Sequence, residues 1–234
     1  MEELHLQKKY IKNLSQVYMF IIIICMIFTP IIDIIAGYIM NASGADTNFS
    51  KVFRLFFLII LFLTLLGSIN RKSCALYFFL LVYSLFLPIL YAILNKTVAG
   101  YVMDELYLSK LFLPILFIMT MKTLKDRGFA VELICWKVLK YYAFIYPVSV
   151  LLPMLFGSGY KNYGSIGERG FFSSGNEISI VLCAMFILNY MFMREKATVY
   201  TVMLTVLSAI AGLMTASKAV LLIYILFFIY IIFR

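Results

Sequence analysis

Long, uninterrupted runs of apolar residues constrain this chain more than any other feature of its sequence. About eight such runs occur, each close to the ~20 residues that an α-helix needs to cross the hydrocarbon core of a bilayer. Only helices and closed barrels can span a membrane, because every backbone polar group in lipid must be paired within the protein. The runs are continuous and not alternating, so they predict helices. Apolar residues make up 64% of the chain and charged residues only 13%, unlike a soluble domain.

The sequence therefore predicts an all-α polytopic membrane protein in which residues 1–234 form a single helical membrane domain. The first apolar run is longer than the core of a cleaved signal peptide and continues past Pro30 and Asp33, so we expect a retained helix. The eight predicted transmembrane helices are at about residues 17–40, 52–69, 75–94, 106–121, 134–156, 177–193, 197–214 and 218–233.

Basic residues set the predicted orientation of these spans. If the N-terminus is cytoplasmic and the spans alternate, most of the 20 Lys and Arg residues fall in inside segments, as the positive-inside rule requires. We therefore predict that the N-terminus and C-terminus are cytoplasmic and that the loop at 157–176 is extracytoplasmic. This topology accounts for the net charge of +9 better than nucleic-acid binding does, and we expect no nucleic-acid partner.

Cysteine and histidine are too sparse and too scattered to build a metal or redox site. The four cysteines form no C-x-x-C pair, and the single histidine, His5, lies in the polar N-terminal tail. Cysteines in such positions are typical of small core residues. We expect no metal ion, no cofactor and no histidine base within the chain. The cysteines are Cys25, Cys74, Cys135 and Cys183.

The longest polar interruption lies between the fifth and sixth predicted spans. Residues 161–177, KNYGSIGERGFFSSGNE, are rich in Gly and Ser and contain Glu168, Arg169, Asn176 and Glu177. Ser and Asn residues just before an apolar run are typical of a capped helix N-terminus. We interpret this segment as an extracytoplasmic active-site loop that the surrounding helices support.

Several charged residues are predicted to share one depth, near the outer ends of the spans. Charges inside spans are rare and often functional. Basic groups at this depth suit an anionic headgroup, and a lipid diphosphate is the natural candidate, because Arg, Lys and Gly-rich backbone all bind phosphate oxygens. A structural alternative stays open, in which Arg54 and Lys110 extend to the headgroups and Asp33 neutralises one of them. The residues at this depth are Asp33, Arg54, Lys110, Arg169, Glu177 and Lys218.

Two motifs resemble the O-antigen polymerase and ligase family. The first is Glu168-Arg169-Gly170-Phe171-Phe172-Ser173-Ser174-Gly175-Asn176-Glu177-Ile178, and the second, one apolar hairpin later, is Met214-Thr215-Ala216-Ser217-Lys218-Ala219. Members of the family typically show an Arg, a Gly-Phe and an Asn-Glu or Pro-Asn pair opening a span, and then a Thr-Ser-Lys type of element one hairpin later. The matching part covers about residues 160–225, and the earlier spans agree in number and character only.

The resemblance implies a bacterial membrane glycosyltransferase of surface polysaccharide biosynthesis. Such enzymes move a glycan from undecaprenyl diphosphate to an acceptor sugar outside the membrane, with inversion and without a required metal. By position, Arg169 and Lys218 match the family's basic residues near the diphosphate, and Asn176 matches the Asn that orders the loop or touches the donor. Glu168 and Glu177 are candidates for the general base by their chemistry only.

The chain departs from the family pattern at its C-terminal end. Members usually continue into a large extracytoplasmic loop with further Arg residues, whereas this chain stops at Arg234, so we expect it to lack part of the catalytic machinery on its own. A polymerase is slightly favoured over a ligase, and a chain-length regulator or another polysaccharide-assembly protein is a candidate partner. Two other classes stay open: a fragment of a lipid-linked sugar flippase or transporter, and an assembly subunit. A transporter should show repeated halves and charges near the midplane, which this sequence does not.

Overall fold

A computed structural model describes residues 2–44, 48–66, 98–163 and 166–233, together with single positions between 75 and 94. Within these residues the chain forms seven α-helices and one small antiparallel sheet. The third predicted span, at 75–94, lies mostly outside the described residues. The elements in chain order are α1 (Glu2–Ser43), α2 (Phe49–Leu66), α3 (Val98–Asp126), α4 (Val131–Leu155), β1 (Lys161–Tyr163), β2 (Ile166–Glu168), α5 (Gly175–Glu195), α6 (Val199–Met214) and α7 (Lys218–Ile232).

Four of the described helices are long and apolar enough to cross a membrane: Asn13–Ser43 within α1, and the whole of α2, α4 and α5. Helices α6 and α7 are apolar but shorter. At 1.5 Å per residue, the 16 residues of α6 extend about 24 Å, against about 30 Å for the hydrocarbon core. These helices confirm the predicted helical membrane protein. The count of eight spans and the cytoplasmic termini stay predictions.

Several helices extend beyond the predicted spans into polar sequence. Helix α1 begins at Glu2 and not near residue 17, because the N-terminal tail is rich in Glu, Leu, Gln and Lys, which favour helix. Helix α3 begins at Val98, ahead of the predicted span at 106–121, and it continues to Asp126. Hydrophobicity locates the apolar part of a helix, whereas propensity and capping decide where the helix ends.

Contacts divide the chain into two compact units. One unit contains residues 1–26 and 48–134, and the other contains residues 27–47 and 135–234. The boundary passes through α1 about one turn before Pro30, which is buried in that helix. Proline has no N–H and cannot donate the helical hydrogen bond to the carbonyl four residues earlier. The part of α1 from residue 27 onward belongs to the same unit as the polar segment between α4 and α5.

The first unit is held together by apolar packing between α2 and α3. Phe57 of α2 meets Phe117 of α3 edge to face, with ring centroids 6.4 Å apart, a geometry that aromatic rings favour. After α3 ends, Arg127 Nη1 donates to the hydroxyl of Ser15 in α1 at 2.6 Å. Because Ser15 is buried, this bond ties the connection between α3 and α4 to the first helix.

The second unit has an apolar core formed by α4, α5 and α6. Close packing of α6 on α7 depends on Gly212, because the Tyr224 hydroxyl occupies the space that a side chain at Gly212 would fill. That hydroxyl donates to the Ser208 carbonyl at 3.1 Å. The buried core residues are Ala143, Tyr146, Val150, Phe172, Ile178, Leu182, Met185, Phe192 and Ala211.

Asn189 is a polar side chain in the middle of this apolar core. It lies in α5 and is only 1% exposed. Its Nδ2 lies 3.2 Å from the Ala143 carbonyl, 3.3 Å from the Leu204 carbonyl and 3.3 Å from the Ser208 hydroxyl. The amide thus links α5 to both α4 and α6, as polar side chains do between membrane helices.

Replacing Asn189 by Leu is expected to destabilise the protein by about 1 kcal/mol, because the change removes interhelical hydrogen bonds without leaving a large cavity. Reversible unfolding of the purified protein in mixed detergent micelles measures the free energy of unfolding. Asn13→Leu, at an exposed position of α1, is the control and should leave this free energy unchanged. Equal stability of Asn189→Leu and the unchanged protein would contradict the linking role of Asn189.

Candidate functional site

The polar segment between α4 and α5 forms a β-hairpin. Strands β1 and β2 pair antiparallel, with Lys161 opposite Glu168. The pairing continues past the strands, since the Arg169 N–H donates to the Tyr160 carbonyl and the Tyr160 N–H donates to the Gly170 carbonyl, both at 2.9 Å. The segment predicted as an active-site loop therefore has the paired backbone of a β-hairpin, which the sequence analysis did not predict.

Glu168, a predicted general base, is buried in the hairpin beside one ion-pair partner. Its Oε1 pairs with the Lys161 ammonium across the two strands, and its side chain is 11% exposed against 52% for that of Lys161. Its Oε2 is buried and has no hydrogen-bond partner among the described residues. A β-carbon at Gly159 would lie 3.3 Å from this oxygen. The hairpin therefore holds a carboxylate whose capacity to accept hydrogen bonds is only partly used.

Arg169, predicted to bind the donor, is half-buried and connects the hairpin to α1. Its Nη1 donates to the Ser173 carbonyl at 2.8 Å, and its Nη2 donates to Asn41 Oδ1 at 2.6 Å. Its Nε is buried and has no partner among the described residues. A guanidinium has five N–H donors, so these two bonds orient the group and leave further donors.

Two glycines let the hairpin backbone touch neighbouring elements. Gly167 has a φ of +78°, and a β-carbon there would lie 2.5 Å from the Thr215 carbonyl oxygen and 2.9 Å from the Ala216 β-carbon. Gly170 has a φ of +59°, and a β-carbon there would lie 2.9 Å from the Val150 α-carbon in α4. Glycine alone combines a positive φ with contacts this close. The hairpin thus contacts both α4 and the turn between α6 and α7.

The contact at Gly167 brings the residue directly before the first motif against Thr215 and Ala216 of the second motif, which a helical hairpin separates from it in sequence. Thr215 and Ala216 form the turn after α6, and Ala216 has a φ of +54°. The turn leads through Ser217, the N-cap of α7, to Lys218, the first residue of that helix. Lys218 is exposed.

Helix α5 begins at Gly175, seven residues after the end of β2, with a capped N-terminus. Ser174 has the extended backbone of an N-cap, and its hydroxyl accepts from the Glu177 N–H at 3.4 Å, which confirms the cap predicted at 173–176. Asn176 and Glu177 lie in the first turn, and both residues are exposed. A helix N-terminus carries the positive end of the helix dipole and unpaired N–H groups, so it favours anions.

The second unit contains most of the predicted site residues. Arg54, half-buried in α2, and Lys110 in α3 belong to the first unit. The side chain of Lys110 lies outside the described part of the structure. The common depth predicted for these two residues and the hairpin therefore stays a prediction. The predicted site residues within the second unit are Glu168, Arg169, Asn176, Glu177 and Lys218.

The hairpin and its neighbours combine positive charge with carboxylate oxygens. Helix α5 starts seven residues after the end of β2, and α7 starts two residues after Ala216, which contacts Gly167. The N-termini of α5 and α7 thus belong to the same two segments as the basic side chains of Arg169 and Lys218. This combination is suited to phosphate groups. In the part of the chain that the structure describes, no group of three or more His, Cys, Asp or Glu side chains could hold a metal ion.

Comparison with protein families extends the resemblance beyond the two motifs. A family model described as "O-antigen ligase like membrane protein" matches residues 12–233, which is nearly the whole chain. The match thus includes the earlier helices, which lie outside the two motifs. No curated protein and no solved structure matches the chain.

Replacing Gly167 by Ala is expected to destabilise the protein by about 2–4 kcal/mol, because the methyl group adds overlap with the Thr215 carbonyl to the strain of a positive φ. Gly157→Ala is the matched control, since Gly157 has a φ of +65° but nothing within 4 Å of its β position. Gly157→Ala should lower the free energy of unfolding only by the cost of the positive φ, about 1 kcal/mol. Unfolding of both purified variants in mixed micelles measures the difference, and equal losses would contradict the close contact at Gly167.

Proposed function

The chain belongs to the O-antigen ligase like membrane protein family, and on this premise we propose that it is a glycosyltransferase of surface polysaccharide biosynthesis. It acts in the bacterial cytoplasmic membrane, at the extracytoplasmic face, on a glycan carried by undecaprenyl diphosphate. The protein either extends this glycan as a polymerase or passes it to another acceptor as a ligase, and the polymerase is our first choice.

The contact between Gly167 and the turn at 215–216 carries this proposal. It joins the two segments whose residues match the family pattern, although two helices separate them in sequence. A lipid-linked donor needs a site at the level of the headgroups, with basic groups for its diphosphate. Arg169 and Lys218 supply these charges from the two segments, and the N-termini of α5 and α7 add their dipoles.

Each residue proposed to bind the donor has its own role in the complex. Lys218, exposed at the start of α7, binds a diphosphate oxygen as a point charge, and Arg169 adds oriented N–H donors. Asn176, exposed in the first turn of α5, hydrogen-bonds the donor.

The proposed reaction is a displacement at the anomeric carbon of the donor sugar. The acceptor hydroxyl oxygen forms a bond to this carbon while the bond from the carbon to the diphosphate oxygen breaks, so the configuration inverts. Undecaprenyl diphosphate leaves with the bonding electron pair, and the hydroxyl proton passes to a carboxylate that acts as general base. Lys218 and Arg169 stabilise the negative charge that develops on the leaving diphosphate.

Of the two predicted carboxylates, Glu177 is the better base. It is exposed in the first turn of α5, whereas Glu168 is buried. A general base must come within hydrogen-bonding reach of the hydroxyl that it deprotonates. In this proposal Glu168 supports the site, since a cross-strand ion pair helps to hold β1 and β2 in register.

Lys218→Ala in the native gene is expected to lower surface glycan polymerisation roughly a hundredfold, because the developing charge on the diphosphate loses a stabilising group. Lys218→Arg should keep much of the activity, since a positive charge stays at the start of α7. Electrophoresis of the surface glycan, with an immunoblot of the membrane protein, measures chain length against protein level.

Lys196→Ala is the matched control for this substitution. Lys196 is also exposed, but it is the C-cap of α5, at the opposite end of that helix from Asn176. The control should leave glycan length unchanged. A normal glycan pattern in Lys218→Ala at a normal protein level would exclude Lys218 from the reaction.

The proposal also places the hairpin outside the cytoplasm and the connection between α5 and α6 inside it. Single-cysteine variants Ser158→Cys and Ala197→Cys, both at exposed positions, test this in a background without the four native cysteines. A membrane-impermeant maleimide should label position 158 in intact spheroplasts and position 197 only after permeabilisation. Labelling of position 197 but not of 158 in intact spheroplasts would contradict the proposed orientation.

A further inference from the structure

Part of α1 contacts the short segment that connects β2 to α5. Gly37 lies against its backbone, since a β-carbon there would lie 2.7 Å from the Ser173 nitrogen and 2.8 Å from the Phe172 carbonyl carbon. The next residue, Tyr38, meets Phe171 edge to face, with ring centroids 5.3 Å apart. The helix and the segment are therefore in direct backbone contact, which a side chain at Gly37 would prevent.

Asn41, one helical turn after Gly37, uses both ends of its amide at this contact. Its Oδ1 accepts from Arg169 Nη2 at 2.6 Å. Its Nδ2 donates to the Gly37 carbonyl at 2.7 Å and lies 3.5 Å from the Phe172 carbonyl. A hydrogen bond from a charged guanidinium is among the stronger ones in proteins, so Asn41 holds one edge of the Arg169 side chain in place.

Arg169 extends this constraint to the start of α5. Its Nη1 donates to the Ser173 carbonyl, and the next residue, Ser174, is the N-cap whose hydroxyl accepts from the Glu177 N–H. A continuous series of hydrogen bonds and one peptide bond thus leads from Asn41 to the first turn of α5. These residues all belong to the same compact unit.

We propose that Asn41 is a positioning residue, which fixes the Arg169 guanidinium and, through it, the segment that leads into α5. The inference rests on the proposed function, in which Arg169 meets the donor diphosphate. An unbound Arg side chain samples many rotamers, so a guanidinium that is already oriented loses less entropy when the donor binds. Asn41 itself does not touch the donor and acts through Arg169.

Asn41→Ala removes the acceptor for Arg169, and its effect is measured in two ways. Hydrogen–deuterium exchange of the purified protein in nanodiscs reports on the backbone amides at 169–173, and electrophoresis of the surface glycan reports on activity in cells. Exchange of these amides should become roughly tenfold faster, and glycan polymerisation should fall roughly tenfold at a normal protein level.

Two further variants separate positioning from a general loss of folding. Asn41→Asp keeps an acceptor for Arg169 but loses the N–H that donates to the Gly37 carbonyl, so exchange and polymerisation should both recover in part relative to Asn41→Ala. Ser43→Ala is the matched control, because Ser43 is exposed near the same end of α1 and donates to the Ile39 carbonyl one turn earlier. This control should change neither measurement.

The two measurements distinguish failure of the inference from failure of the proposed function. Unchanged exchange in Asn41→Ala would overturn the inference, whatever the glycan pattern. The inference would also be overturned if Asn41→Ala showed faster exchange but normal polymerisation while Lys218→Ala lost polymerisation in the same cells. Normal polymerisation in both Asn41→Ala and Lys218→Ala would overturn the proposed function. It would also overturn the role of Asn41 in positioning Arg169 for the reaction.

Discussion

A polar segment at the surface of a membrane protein keeps one shape only where its backbone groups are paired and its neighbours leave it no room to move. Three glycines provide this constraint here. Gly37 in α1, Gly167 in β2 and Gly170 just after β2 each allow a backbone contact that a side chain would prevent. Their contacts involve α1, α4 and the turn between α6 and α7, so residues 167–173 are held by parts of the chain that are distant in sequence.

A fixed backbone gives different roles to charged residues that look alike in the sequence. Glu168 is buried beside Lys161, whereas Glu177 is exposed at the start of α5. Arg169 is half-buried and already donates two hydrogen bonds within the protein, whereas Lys218 is exposed at the start of α7. We therefore propose that Glu168 supports the hairpin and that Glu177 and Lys218 take part directly in the reaction. In this proposal Arg169 both holds the segment before α5 and binds the donor.

Local patterns were sufficient to predict the helical membrane class and a capped helix start within residues 173–176, where the structure has the N-cap at Ser174. The hairpin was missed because its sequence signal, a Gly-Ser pair at 164–165 between two short segments, is weak beside long apolar runs. Asn41 and Asn189 could not be identified from the sequence. Their main partners, Arg169 and Ala143 among others, are distant in the chain, and a single Asn near apolar residues forms no periodic pattern.

We propose that the hairpin and the turn before α7 together form the binding site for the diphosphate of a lipid-linked glycan. Photo-crosslinking tests it most directly, with an undecaprenyl diphosphate-linked glycan that carries a diazirine next to the diphosphate and with the protein in nanodiscs. We expect mass spectrometry to find crosslinks in the peptides that contain residues 166–177 and 215–220, and we expect unlabelled donor to compete for both. Crosslinks confined to other helices, or insensitive to unlabelled donor, would contradict it.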